Sequence, residues 1–259
     1  MIDERWGPDA REFAAALRDT LRRACPPETV RAIEADPQGA EATRLAQALA
    51  QVGLEELPLE PELLAAAAFE LGRAAAPAPF AVDDEHLAVL VDVARIAGAA
   101  ERALELAVAY AQERRQFGVP IGSFQAIAHK LVDTRIAVDG LVLLVRKVAW
   151  ASADSGAPDD FWTAALISAA VPRAFTVARN THQVFGGHGF TVEADLQLWT
   201  RRLKDWARAL PQDPTAARLR IARTLLADPN SEQIRDLWQH RHGLRLPRWA
   251  RELDAVPAH

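Results

Sequence analysis

Cysteine is almost absent. Cys25 stands alone in 259 residues, so no disulfide can form within the chain. A free thiol without a leader-like start predicts a cytoplasmic protein. Tyrosine also occurs once, at Tyr110, and extended runs of Val, Ile, Thr and Tyr are scarce, which leaves little to build strands from. The net charge of −5 gives no broad basic field and argues against a nucleic-acid partner. No uninterrupted apolar run reaches the roughly 18–20 residues that a membrane span needs; the longest candidate, Leu141 to Trp150, is broken by Arg146 and Lys147. No metal set is evident. His182 and His188 flank a glycine break without a third ligand at a defined spacing, and His129 reads as a packing residue. Ser168 has neither an adjacent base nor an elbow motif, so nucleophilic catalysis has no support.

What remains is helix, rich in Ala, Leu and Arg. Residues 9–23 carry Phe13, Leu17 and Leu21 at a spacing of four, closed by Pro26 and Pro27. A short helix follows from Pro27. Residues 40–52 carry Leu45, Leu49 and Val52 before Gly53, and residues 60–75 end at Pro77 and Pro79. From Asp84 the helices lengthen. The first runs from Asp84 to Phe117, with small residues Ala97 to Ala100 that would let a neighbouring helix approach closely. Ser123 is expected to cap the next, to about Ala153. Asp159 caps a third that ends at Gly186 and Gly187, a fourth covers 193–210, and a fifth 215–226. Trp150, Trp162, Trp199 and Trp206 read as core or interface anchors. The prediction is an all-α chain: short N-terminal helices over 1–83, an up-and-down bundle over 84–229, and a tail over 230–259. That tail holds Trp238, His240, His242 and Trp249 among arginines, a composition suited to surface docking.

Two stretches carry chemistry. ERRQFGVPIGSFQ, residues 113–125, places Arg114 and Arg115 at a helix end beside Gln116 and Phe117. Forked guanidinium donors suit phosphate oxygens; arginines at a helix C-terminus also simply complement the helix dipole. QVFGGHGF, residues 183–190, places Gln183 just before Gly186 and Gly187. Bare backbone there lets amides approach a ligand, although a glycine pair is also an ordinary helix stop. GGHG follows no strand, so it is not a dinucleotide fingerprint.

The two stretches, separated by two long helices, resemble the flavin-binding half of the acyl-CoA dehydrogenase C-terminal domain. The likeness covers about 91–204, and loosely ELGRAAAPAPF at 70–80. It implies FAD as cofactor, held at a subunit interface. Arg114, Gln116 and Phe117 match positions that contact flavin across that interface; Gln183, Gly186 and Gly187 match the segment on its pyrophosphate and ribose side.

Two departures qualify the resemblance. The family carries a β-domain of about a hundred residues, the scale of one domain, between its helical parts. Here Phe80 is followed almost at once by Asp84. The family also takes a proton α to a thioester carbonyl with a glutamate. One family placement falls in the stretch Leu210 to Pro214, where Asp213 is a Pro-flanked turn residue; the other falls at Ala88, with Asp84 and Glu85 nearby. No catalytic residue is therefore expected on this chain. Three readings follow. The leading one is the partner subunit of a heteromeric FAD-dependent acyl-CoA dehydrogenase, as in steroid degradation, assembling as α2β2 with a full-length subunit that carries the base. The others are a helical scaffold and a non-redox enzyme on the same fold.

Overall fold

The computed structural model describes residues 6–227, and the Trp/Arg/His-rich tail lies outside them. Among the described residues the regular secondary structure is helical apart from one two-residue strand pair.

The N-terminal part comprises α1 (Pro8–Ala24), α2 (Pro27–Ala35), α3 (Ala40–Gln51) and α4 (Pro61–Arg73). α1, α2 and α4 each start on proline, whose fixed φ and missing N–H suit a first helical turn. α1 buries Leu17 and Leu21, as its stripe predicts, and α3 buries Leu45 and Leu49. α4 is different: Leu63 to Gly72 are all buried.

The reason is α5 (Glu85–Glu113), the central helix, which packs on α4. Asp84 caps it, its Oδ1 accepting from the Leu87 N–H at 2.8 Å. The two helices meet backbone to backbone. A Cβ on Gly98 would lie 1.9 Å from the Phe69 carbonyl oxygen, and one on Gly72 would lie 2.0 Å from that of Arg95. The close approach expected of the small residues near Ala97 thus depends on a glycine from each helix. Glu70 is buried at this crossing. Arg18 reaches down from α1 to donate to it twice, at 2.9 and 2.6 Å, from a guanidinium that is itself more than half exposed. The Glu70 hydrogen bond is the main reason that the Arg18 pKa is raised.

The bundle continues with α6 (Gln125–Ala151), α7 (Asp160–Phe185), α8 (Leu196–Ala209) and α9 (Pro214–Ala227). α5 packs on α6, α7 and α8, and α7 packs on α9. Asp159 caps α7, accepting from the Trp162 N–H at 2.8 Å, and α7 runs through Pro172 without ending. Three expectations need correction. α5 stops at Glu113, four residues before Phe117, because the chain there turns into a hairpin. Ser123 caps nothing: it closes a short 3-10 turn, and Phe124, without a side-chain cap, precedes α6. Residues 160–190 are long and apolar enough to cross a membrane by length and composition alone. Alanine accounts for much of that apolarity, and 56% of the most apolar window is buried inside the bundle, as befits a core helix.

α4 and α5 are joined by residues 74–84 alone, and these contain no strand. Trp199 is buried, its indole N–H donating to the Arg73 carbonyl at 2.8 Å; Trp150 is 53% exposed.

Candidate functional site

Beyond Glu113 the chain forms a two-residue-per-strand hairpin. β1 (Arg115–Gln116) pairs antiparallel with β2 (Val119–Pro120). Phe117 and Gly118 form the turn with φ of +52° and +84°, the positive pair that a type I′ turn requires. Gly118 adopts this freely, whereas Phe117 is strained there. Its ring is 94% exposed, edge-on to Phe124 at 6.1 Å. A strained, solvent-facing aromatic is the kind of feature that marks a functional position.

Arg114 is the C-cap of α5. Its N–H donates to the Tyr110 carbonyl and its own carbonyl accepts from the Ile121 N–H, both at 2.8 Å. Its guanidinium faces solvent with no hydrogen bond or ion pair among the described residues. Arg115 reaches only the Gly118 carbonyl, at 3.3 Å, and the Gln116 amide donates to the Arg115 carbonyl at 2.7 Å.

Gln183 is exposed on the last turn of α7. Gly186 ends that helix at φ +60° and ψ −143°, a backbone nearly confined to glycine. A short 3-10 turn, Gly186–Phe190, follows. Cβ atoms built on Gly186 and Gly187 would meet nothing within 4 Å. The crowded glycine is Gly189, whose Cβ would sit 2.8 Å from the Phe185 Cβ.

An aromatic stack joins the two motifs. Tyr110 on α5 lies 4.3 Å from Phe185 on α7 and 5.8 Å from His188. The ends of α5 and α7 also share a small apolar cluster of Ala107, Ala111 and Val184. All six candidate residues therefore lie at one end of the bundle. Tyr110, Phe185, His188 and Gly189 hold that arrangement. Sequence reasoning assigned them no such part, because a helix-to-helix stack leaves no local pattern; the single tyrosine was the one available signal.

The comparisons with known proteins fall on this region. Residues 90–206 match the family model described as acyl-CoA dehydrogenase, C-terminal domain. This segment is an acyl-CoA dehydrogenase C-terminal domain. Acyl-CoA dehydrogenase IpdE2 of Mycolicibacterium smegmatis is 36% identical over 132 residues, 49% of this chain and 40% of that protein. FadE34 of Mycobacterium tuberculosis is 40% identical over 119 residues, 46% of this chain and 17% of that protein. The chain thus spans less than half the length of these relatives. Among solved structures, the ChsE4–ChsE5 complex of Mycobacterium tuberculosis aligns at TM-score 0.51 and 32% identity, over 56% of this chain and 39% of that one. A variant of the Tcur3481–Tcur3483 steroid ACAD aligns at TM-score 0.72 and 15% identity, over 86% of this chain and 99% of that one, a likeness of fold.

Of the three carboxylates considered as bases in this acyl-CoA dehydrogenase domain, Asp213 and Asp84 are engaged as helix caps. Asp213 Oδ1 accepts from the N–H groups of Thr215 and Ala216 at 2.8 and 3.3 Å; these bonds, Thr215 first, hold its pKa below the usual carboxylate range. Asp84 caps α5. Glu85 is 90% exposed, beside His86. His182 Nε2 pairs with Thr200 Oγ1 at 2.7 Å, and its ring stacks on Phe190 at 4.8 Å. Burial first, then Lys204, lowers its pKa, which favours the neutral ring. Among the described residues no three His, Cys, Asp or Glu side chains gather as a metal-binding group.

Proposed function

We propose that this chain is the partner subunit of a heteromeric FAD-dependent acyl-CoA dehydrogenase. It completes the flavin site of a full-length subunit that carries the catalytic glutamate, in an assembly with two copies of each chain. The observation that carries the reading is a mismatch within one molecule. The bundle keeps the Arg114–Phe117 hairpin beside the open Gly186–Gly187 turn, while residues 74–84 contain no β-domain to cover a flavin ring.

The residues present fit the ADP half of FAD. Arg114 has its full fork of donors available for pyrophosphate oxygens. The Gly187 backbone is open to close approach, and Gln183 can aim its amide to the same side. Phe117 offers an apolar face to the ligand or the partner. The bound flavin would supply the hydride acceptor; this chain's residues position it and exclude water. A partner is further supported by α6, which exposes Val132, Ile136, Leu143 and Trp150 along one face. The ChsE4–ChsE5 neighbour is itself a complex, and closed two-fold symmetry is the default for such assemblies.

Co-expression with a full-length acyl-CoA dehydrogenase tests the proposal by flavin content and dehydrogenation rate. The pair should purify together and yellow, and the lone chain colourless. Arg114→Ala should weaken flavin binding roughly ten- to a hundredfold, and Gly187→Val should do at least as much by blocking the backbone. Asp213→Asn should leave turnover nearly intact. Full flavin retention in both of the first two variants would overturn the cofactor assignment.

A further inference from the structure

Far from the hairpin, the N-terminal helices enclose a pocket of about 740 Å³, within the roughly 300–1,000 Å³ usual for small-molecule sites. α2, α3 and the 77–82 segment wall it, with Ile33, Leu45, Leu49, Leu54, Leu64 and Phe80 making an apolar lining. A second pocket of about 360 Å³ adjoins it, sharing Glu34 and Pro77 to Pro79 as a common wall. This one is polar and contains Arg95, Arg201 and Arg202.

The charges there are unevenly matched. Glu34 accepts from both Arg201 and Arg202 at 2.7 Å. Burial alone would raise its pKa, but the two guanidiniums hold it below the usual carboxylate range. One carboxylate thus serves two cations. Asp205 also lines the pocket and lies 3.7 Å from Arg208. Arg95 is the cation left over. Its Nη2 donates to the Ala78 carbonyl at 2.5 Å and its guanidinium lies 5.1 Å from the Trp206 ring centroid. Its Nε is buried with no hydrogen-bond partner. It has no carboxylate within 4 Å among the described residues; Asp92 acts on it only from farther away. Leaving a largely buried cation without a counter-ion is costly, and an anion in the pocket that Arg95 lines would supply one.

We infer that the two pockets form one binding site for an amphipathic carboxylate, its apolar body among the leucines of α3 and α4 and its carboxylate against Arg95 beside Arg201. The site lies among residues of the N-terminal helices, the 77–82 segment, α5 and α8. It shares no residue with the hairpin or the Gly186–Gly187 turn, so it stands or falls apart from the flavin reading.

Calorimetric titration of the purified full chain with decanoate, and separately with decanol, tests it. Decanoate should bind, and decanol more weakly. Arg95→Gln should weaken decanoate roughly ten- to a hundredfold while leaving decanol nearly unchanged. Arg201→Gln, at a half-exposed position, should cause a smaller loss of the same kind. Ala46→Phe, on the open side of α3, should fill the apolar pocket and weaken both ligands. Circular dichroism melts establish that each variant is folded, and if Arg95→Gln is not, Arg201→Gln decides alone. No decanoate binding by the parent chain, equal affinity for both ligands, or unchanged affinity in folded Ala46→Phe would each overturn the inference.

Discussion

The crossing of α4 and α5 and the hairpin end of the bundle use glycine in opposite ways. At the crossing, a single added carbon on Gly98 or Gly72 would collide with a backbone carbonyl of the other helix. At the other end, a carbon on Gly118, Gly186 or Gly187 would touch nothing within 4 Å. The first region is packed to exclusion and contains a buried carboxylate, Glu70, paired with a half-exposed arginine. The second is exposed, strained at Phe117 and unsaturated in hydrogen bonds at Arg114. The lesson is a division of labour: one set of glycines closes the core and the other keeps backbone accessible.

The comparison breaks most visibly at the crossing. Gly98→Ala should separate α4 from α5 and lower stability by about 3 kcal/mol, near the top of the range for overpacking. For a domain of this size that is roughly 6–12 °C in Tm, read by thermal melt. A melt within a degree or two of the parent would mean that the helices do not approach as described.

Arg18→Ala comes next. It leaves the Glu70 carboxylate buried with only Arg73 Nε at 4.0 Å. Because Arg18 is itself more than half exposed, the loss should be about 1–3 kcal/mol, smaller than for a fully buried pair. Chemical denaturation of Arg18→Ala beside an Arg18→Lys control measures it, the control recovering part of the charge but not the double donation.

At the hairpin the sign should reverse. Phe117→Asn keeps a residue tolerant of positive φ and removes an exposed ring, so stability should rise by up to about 1 kcal/mol, while flavin content of the co-expressed complex falls. A destabilised Phe117→Asn would mean that the ring supports the fold.

The smallest effect is the pH response of His182. Its folded pKa lies below the ordinary 6.5, so the unfolded chain binds the proton more readily. Its contribution is complete above that value and is lost as pH falls below it. His182→Gln should flatten the decline in Tm between about pH 7 and about pH 5; an unchanged slope would show that the ring does not titrate as its burial implies.

Periodicity and punctuation made most of the helices legible. Leu17 and Leu21, Leu45 and Leu49, Asp84 and Asp159, and the Pro27 that opens α2 all act locally, through side-chain spacing, caps and fixed φ. The hairpin was not legible in that way. Arg114 to Phe117 continues a helical pattern, and what ends α5 is a turn held by the Ile121-to-Arg114 bond and the pairing of Gln116 with Val119. Ser123 failed as a cap because that same turn carries the chain into a 3-10 segment first.

The sequence alone determined an all-helical chain, a short α4–α5 connection and the two motif stretches, since each rests on residues near one another in the chain. Tertiary structure alone decided that Gly72 and Gly98 meet, that Glu70 lies inside with Arg18 upon it, and that Tyr110, Phe185 and His188 draw the two motifs to one end of the bundle. It also set Arg95 beside an apolar pocket walled by α2 and α3. These depend on contacts between residues distant in sequence, whose free energy comes from shape and desolvation on packing and leaves no trace in local spacing.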